Sequence, residues 1–382
     1  MPHNIPRLFT LLVATATFVL NELPASAQTV EKSSAAGNYF PPPGSRAEWQ
    51  RIDPAEACFD REKLDEVLDH ARQQRSSGLV ILYRGRIVAE GYWNPDDLQT
   101  ERVKEQVKKR GYDQRVIGRD AAGRAIEDVA SAQKSISSIL AGMAQERGLL
   151  KISDPVHTYL GPGWSKAAPE QEATITVRHL LTMTSGLDDE LKFEVAPGTR
   201  WFYNTSAYSR VLMCTAAATK MDRNELTKQW LTGPIGMQDS RWEERPVPAR
   251  FEGNNGVGFA TTVRDLARFG LLIQASGDWD GRAIIQDKQY LHDALHRSQD
   301  LNPSNGYLWW LNGQSQVMRG RQLVPGPLIP TAPADLVAAL GGFQRKLYVV
   351  PSEQLVVTRL GDNCPPLDAS LWRLITAARI KQ

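Results

Sequence analysis

Ser131 and Lys134 are the residues whose types and spacing point most directly to covalent chemistry. They stand three apart in Ser131-Ala132-Gln133-Lys134, the one Ser-x-x-Lys in the chain. A serine hydroxyl is a weak nucleophile until a neighbouring base takes its proton, and a lysine amine can be that base once its pKa is lowered. Ile136, Ile139, Leu140 and Met143 mark an apolar helical stripe that begins at this tetrapeptide. At ~100° per residue, Ser131 and Lys134 share the side opposite the stripe. That geometry suits a capped amphipathic helix with an exposed Ser and Lys. It equally suits a hydroxyl at the positive end of a helix dipole, one turn from an amine whose charged form the dipole disfavours. The tetrapeptide alone does not choose, since ordinary residue usage gives about one such match by chance in a chain this long.

Tyr203 adds a second titratable group. Pro197-Gly198-Thr199-Arg200-Trp201-Phe202-Tyr203-Asn204-Thr205 runs from a turn into the start of a helix. A tyrosine there commonly packs; beside a lysine it would be partly deprotonated and pass protons to a leaving group. Other chemistries find no footing. There is no Gly-x-Ser-x-Gly, His-Glu-x-x-His, Walker loop or Cys-x-x-Cys, and Gly253 to Gly258 has the wrong spacing for a dinucleotide loop. None of the six histidines has a partnered pattern, so no metal and no organic cofactor is expected.

The elements that must hold these residues follow from hydrophobic periodicity. Arg61 to Gln73 reads as a helix, and Leu79 to Tyr83 and Ile87 to Trp93 as strands around a turn. Asn94 to Asp128 is a long polar excursion, and Ser131 to about Leu295 is mostly helical. Strand character returns at Tyr307 to Leu311, Lys346 to Val350 and Leu355 to Leu360, and Leu367 to Ile380 closes the chain as a helix. The expected fold is α/β plus all-α: an antiparallel sheet built from both chain ends, flanked by helices, with a mainly helical region inserted. The sheet region is 49–128 and 300–382, and the inserted region 129–299.

Composition bounds the setting. The 382 residues are 42% hydrophobic and 23% charged, with net charge +2 spread along the chain. That is ordinary for a globular protein and gives no footing for nucleic acid. Residues 1–27 read as a signal peptide: a basic start, the apolar run Leu8 to Leu20, and Ala25-Ser26-Ala27 as cleavage site. The run falls below the ~18 apolar residues of a membrane span. The mature chain is therefore expected in the periplasm or outside the cell, not inserted in the membrane, with 28–48 as an extended leader and 49–382 as one domain. Cys214 reads as an apolar filler, whereas Cys58 and Cys364 lie near the two ends of the fold and could pair.

Several stretches together resemble the serine β-lactamase and penicillin-binding-protein family, in its branch of class C β-lactamases, esterases and 6-aminohexanoate-dimer hydrolases. They are Ser131 to Lys134, Ile175 to Leu187, Pro197 to Tyr208, Pro234 to Met237, Gly258 to Phe269, Tyr307 to Leu311 and Leu347 to Leu360. The resemblance covers about residues 40 to 365. It implies Ser131 as nucleophile, Lys134 as general base and Tyr203 as partner in the proton relay. The third motif is matched by Ala339-Leu340-Gly341-Gly342, so the oxyanion hole would be the backbone N–H groups of Ser131 and Gly342. Thr205 and Gly341 would lie at substrate-binding positions. Two departures stand out: Thr205 replaces the second motif's Asn, and Ala339 replaces the third motif's cation. Both losses argue against efficient β-lactam or D-Ala-D-Ala peptide binding.

The expected activity is thus hydrolysis of a small ester or amide through an acyl-enzyme. The enzymatic alternative is a β-lactamase or D-Ala-D-Ala carboxypeptidase. The non-enzymatic one is an idle cell-envelope binding protein that has kept the fold.

Overall fold

Leu79-Val80-Ile81-Leu82 is an unbroken apolar run, as a strand buried on both faces requires. In the computed structural model, β1 (Ser76–Tyr83) lies inside a six-stranded antiparallel sheet of order β2-β1-β14-β13-β12-β9. Its neighbours are β2 (Arg86–Tyr92), β14 (Leu355–Gly361), β13 (Arg345–Val350), β12 (Val337–Gly341) and β9 (Trp310–Leu311). The two chain ends therefore meet edge to edge, as the sequence predicts. The structure describes residues 37–44, 46–95, 116–245 and 256–380, together with Met1. The expected signal peptide with its cleavage site, the first part of the leader, most of the 94–128 excursion and part of the Gly253 to Gly258 loop lie outside the described residues.

The period-two alternation of strands divides the sheet between two cores. Val80, Leu82, Leu347, Val349 and Val356 face the inserted helices, including Ile136, Ile139 and Leu140. Leu79, Ile81, Tyr348, Val350 and Val357 face the terminal helices Arg61–Gln73 and Asp368–Ala378 through Leu64, Val67, Leu371 and Trp372.

The inserted region is not purely helical. β3 (Val116–Arg119) and β4 (Ala125–Asp128) leave the main sheet and pair with β6 (Val257–Thr261) and β5 (Arg241–Glu244), in the order β3-β4-β6-β5. Residues 116–128, read from sequence as part of a polar excursion, are thus a hairpin that leads straight into Ser131. Two short hairpins, β7 (Asp278–Trp279) with β8 (Arg282–Ala283) and β10 (Gln316–Arg319) with β11 (Gln322–Pro325), lie outside both sheets. The strand expected from Tyr307 shrinks to Trp310–Leu311, because Leu308 adopts φ +61°.

The end of the leader is docked, not loose. Tyr39 N–H donates to the Arg84 carbonyl at 2.9 Å, and the Arg268 guanidinium donates to the carbonyls of Pro41 and Pro42. No disulfide joins Cys58, Cys214 and Cys364, so the Cys58–Cys364 pairing is absent. Among the described residues, no helix is long and apolar enough to cross a membrane.

The helix Val263–Gln274 is capped by Thr262, whose side chain accepts from Asp265 N–H at 3.1 Å. It lies against the sheet through Gly270. A Cβ there would sit 2.5 Å from Val356 Cγ1 and 2.6 Å from Leu347 Cδ1, well inside contact distance. Gly270→Ala should therefore lower the urea midpoint at unchanged m-value. Overpacking a core costs about 1–3 kcal/mol, more than the ~1 kcal/mol by which Ala favours a helix over Gly. A midpoint at or above wild type would contradict the close helix–sheet packing.

Candidate active site

β4 delivers the chain into a tight turn. Asp128 ends the strand, its carboxylate gripped by Arg245 at 2.7 and 3.0 Å, and it accepts Ala130 N–H at 2.8 Å. Ala130 has φ +51°, a left-handed conformation that costs a non-glycine residue on the order of 1 kcal/mol. The strain lifts Ser131 onto a single 3-10 turn, Ala130–Ala132, directly before the central helix Gln133–Glu146. Ser131 is half-buried, while every residue from Gln133 to Ala144 is buried. The exposed amphipathic helix is thereby excluded: the side opposite the apolar stripe faces protein.

Lys134 is 3% exposed, and its Nζ lies 3.0 Å from Ser131 Oγ. Burial, helped by the positive charge of Arg245, pushes its pKa down to about 7. Its amine sits over two aromatic faces, 4.9 Å from the Tyr203 ring centre and 4.3 Å from that of Tyr208. The Tyr203 hydroxyl shares a hydrogen bond with Ser131. Burial raises the Tyr203 pKa above its ordinary value, the Ser131 bond only partly opposing it. The partly deprotonated phenol expected from sequence is therefore corrected: Tyr203 is a neutral phenol.

The third-motif strand passes behind the turn. A Cβ on Gly341 would lie 2.2 Å from the Val129 carbonyl oxygen and 3.3 Å from Ala132 N, so only glycine allows this approach. Gly342, at the exposed end of the strand, faces Ala130, whose Cβ is 3.8 Å from where a Gly342 Cβ would stand. The Ser131 turn and the Gly341-Gly342 strand end are therefore in contact. Ala339 is 1% exposed and faces the helical core.

The slot above Ser131 is lined by Lys134, Ser135, Tyr203 and Asn305 and by apolar Met183, Leu308, Trp310 and Leu340. Its free volume is about 10 Å³, close to the room one water needs. Trp310 stacks on Tyr203 with ring centres 6.1 Å apart. Thr205, Gly341 and Gly342 do not line this slot. Thr205 is the first residue of the helix Thr205–Thr219, and its neighbour Asn204 does the structural work. Asn204 accepts Ala207 N–H at 2.9 Å and donates to the carbonyls of Leu187 and Asp188 at 3.0 and 2.8 Å.

Sequence reasoning missed Gln133 and Tyr208. Gln133 donates to Tyr208 Oη at 2.7 Å and to the Val257 carbonyl, and accepts from Phe259 N–H at 2.9 Å and from Arg245 at 3.0 Å. It ties the Ser131 turn to β6 and seats the ring under Lys134. Its place inside Ser-Ala-Gln-Lys was the available signal. Among the described residues, no group of three His, Cys, Asp or Glu is arranged to hold a metal.

Comparison with known proteins agrees with this architecture. The sequence model of the Beta-lactamase family matches residues 62–378. An uncharacterized protein of Alkalihalophilus pseudofirmus is 23% identical over 305 residues, spanning 74% of this chain and 82% of that one. The beta-lactamase of Escherichia coli is 22% identical over 303 residues, spanning 65% of this chain and 79% of its own length. A Bacillus anthracis protein classed with the 6-aminohexanoate-dimer hydrolases superposes with a TM-score of 0.59 at 17% identity, covering 87% of each chain. A class C beta-lactamase mutant gives 0.57 at 15% identity, covering 85% of this chain and 98% of that one. At such identities the solved structures attest the fold alone, and with the family match over most of the sequence they make this chain a member of the beta-lactamase family of serine hydrolases.

Proposed function

We propose that this protein is an exported serine hydrolase that cleaves uncharged esters or amides through an acyl-enzyme on Ser131. The observation that carries the reading is the 3.0 Å contact between Ser131 Oγ and a buried Lys134 amine whose pKa lies near 7. A neutral amine at that distance accepts the hydroxyl proton as Oγ attacks the substrate carbonyl carbon. The carbonyl oxygen takes up the electron pair and is met by the backbone N–H groups of Ser131 and Gly342. The Tyr203 phenol gives its proton to the leaving oxygen or nitrogen and regains one from the Lys134 ammonium. Water then attacks the acyl carbon along the same relay in reverse, freeing the acid and restoring Ser131. Export rests on the signal-peptide pattern of residues 1–27.

The choice of substrate follows from missing charge. Ala339 supplies no cation, and the two basic residues nearby are committed elsewhere. Arg345 pairs with Glu127 at 3.2 Å, and Lys346 reaches Asp368 at 3.0 Å. The slot walls Met183, Leu308, Trp310 and Leu340 are apolar. Lys134 is the one charged residue type in the slot lining, and as a neutral base it holds no carboxylate. These features favour esters and uncharged amides over lactams and D-Ala-terminated peptides. The depressed Lys134 pKa speaks against an idle binding protein, which has no use for a neutral buried amine.

A fluorophosphonate should label Ser131 once, and Ser131→Ala should abolish the labelling; labelling that persists would sink the nucleophile. For wild type, kcat/KM on a neutral ester should rise with pH through about 7, as Lys134 loses its proton. Lys134→Met should lower acylation by about 10²–10⁴-fold, the usual size of a general-base contribution. The same variant should be more stable than wild type at pH 7. Burial lowers this amine from 10.5 to about 7, so between those values the unfolded chain holds a proton that the folded chain has lost. Stability from this group therefore falls as pH drops from 10.5 toward 7, and methionine removes that penalty. A less stable Lys134→Met, or one of unchanged activity, would count against the base assignment.

A short p-nitrophenyl ester should be turned over with a higher specificity constant than a chromogenic cephalosporin. An ion pair to a substrate carboxylate contributes about 1.5–3 kcal/mol, roughly ten- to a hundredfold in binding, and that contact is missing here. Equal or reversed specificity constants would favour the lactamase alternative.

A further inference from the structure

Arg345 and Glu127 form an ion pair whose side chains are both 0% exposed, joining residues 218 apart in sequence. Such a pair loses the solvation of two charges, and the attraction between them repays that loss only with good geometry and further hydrogen bonds. The further bonds here are informative. Ser77 Oγ donates to Glu127 Oε1, fixing the carboxylate against β1. Arg345 reaches the Gly342 carbonyl from its backbone N–H at 3.3 Å and from Nη1 at 3.5 Å, and its guanidinium covers the Phe343 ring at 4.9 Å. Arg345 is also the register partner of Gly341.

The pair thus ends on two particular pieces of chain. Glu127 lies on β4 four residues before Ser131, and Arg345 closes the hairpin turn that begins at Gly342. These are the two segments whose backbone N–H groups would form the oxyanion hole. They touch through Gly341 and Val129, and that contact fixes their separation. It does not by itself fix the tilt of the Gly342 peptide at an exposed strand end. Phe343 and Gln344 that follow have φ +58° and +57°, a strained turn that needs outside restraint.

We infer that Arg345 and Glu127 are positioning residues: their buried ion pair locks the Gly342 turn to the Ser131 turn and so pre-aligns the two oxyanion donors. This rests on the acyl-enzyme reading above. One misaligned donor weakens stabilisation of the tetrahedral oxyanion and leaves ground-state binding nearly untouched. Losing one such donor outright costs about 10²–10³ in kcat.

The test uses the full mature protein with wild type as control. Labelling of wild type by a fluorophosphonate and turnover of a p-nitrophenyl ester establish first that the acyl-enzyme reading holds; if neither occurs, that reading fails before any variant is compared. Glu127→Gln keeps the shape and removes the charge. It should lower kcat by about 10–100-fold, short of outright donor loss, with KM within threefold of wild type. It should weaken inhibition by phenylboronic acid, which mimics the tetrahedral oxyanion, by a similar factor. The pH midpoint set by Lys134 should stay in place. Arg345→Lys, which keeps a cation, should retain more kcat than Arg345→Met. The double variant Glu127→Gln/Arg345→Met covers the case of misfolding, because a neutral buried pair leaves no lone charge. A folded double variant with the kcat and boronate loss supports the lock. Wild-type kcat and boronate inhibition in folded Glu127→Gln, folded Arg345→Met or the folded double variant overturns it.

Discussion

Burial of the Lys134 amine is the constraint on which the site depends. An ammonium ion inside a protein needs a carboxylate or several hydrogen-bond acceptors, and the forces acting on Lys134 are desolvation and the repulsion of Arg245. Both favour the neutral amine. The flanking Tyr203 and Tyr208 rings would attract a cation, so they moderate the depression without reversing it. An amine with a pKa near 7 is the outcome, and it depends on the enclosure of every residue of the central helix from Gln133 to Ala144. The helix position of Lys134 therefore explains its depressed pKa better than the tetrapeptide that first drew attention to it.

Enclosure in turn requires the two sheets to converge on one turn. Asp128 and Arg245 draw β4 toward β5, Gln133 ties the helix start to β6, and Gly341 lets β12 pass within van der Waals reach of Val129. Ser131 sits where these restraints meet, on a backbone that Ala130 holds in a left-handed conformation. A residue held this way has little freedom to turn from Lys134. Much of the entropic cost of holding the Ser131 hydroxyl against the Lys134 amine is met when the chain folds.

The sheet from both chain ends was legible because Leu79 to Leu82 and Leu355 to Val357 are apolar without interruption, as a doubly covered strand requires. Ser131 and Lys134 were legible because their spacing is local. Tyr203 was legible as a candidate but not as a neutral phenol, since its ionisation depends on burial against Trp310 and Lys134 that no local pattern encodes. Residues 116–128 were misread as part of a polar excursion because β3 and β4 are four residues each and β3 is only partly buried, too short and too polar for alternation to show. Glu127 with Arg345, and Gln133 with Tyr208, are invisible to periodicity because each pair is made by tertiary contact. A fully buried charge of either sign looks, in sequence, like any surface residue.

The same distinction bears on what the slot can accept. Loss of the third-motif cation at Ala339 is a local fact, but its consequence depends on whether a neighbouring charge moves in. Arg345 and Lys346 are adjacent in sequence, yet the strand alternation of β13 sends their side chains to opposite faces, one to Glu127 and the other to Asp368. Each would have to break a buried or nearly buried ion pair to reach a substrate carboxylate, and stranding the partner charge is destabilising by about 3–5 kcal/mol. That exceeds the ~1.5–3 kcal/mol a new charged contact returns. The packing around position 339 therefore keeps both neighbouring cations committed, and the proposed preference for uncharged acyl groups follows from the fold as much as from the residue at 339.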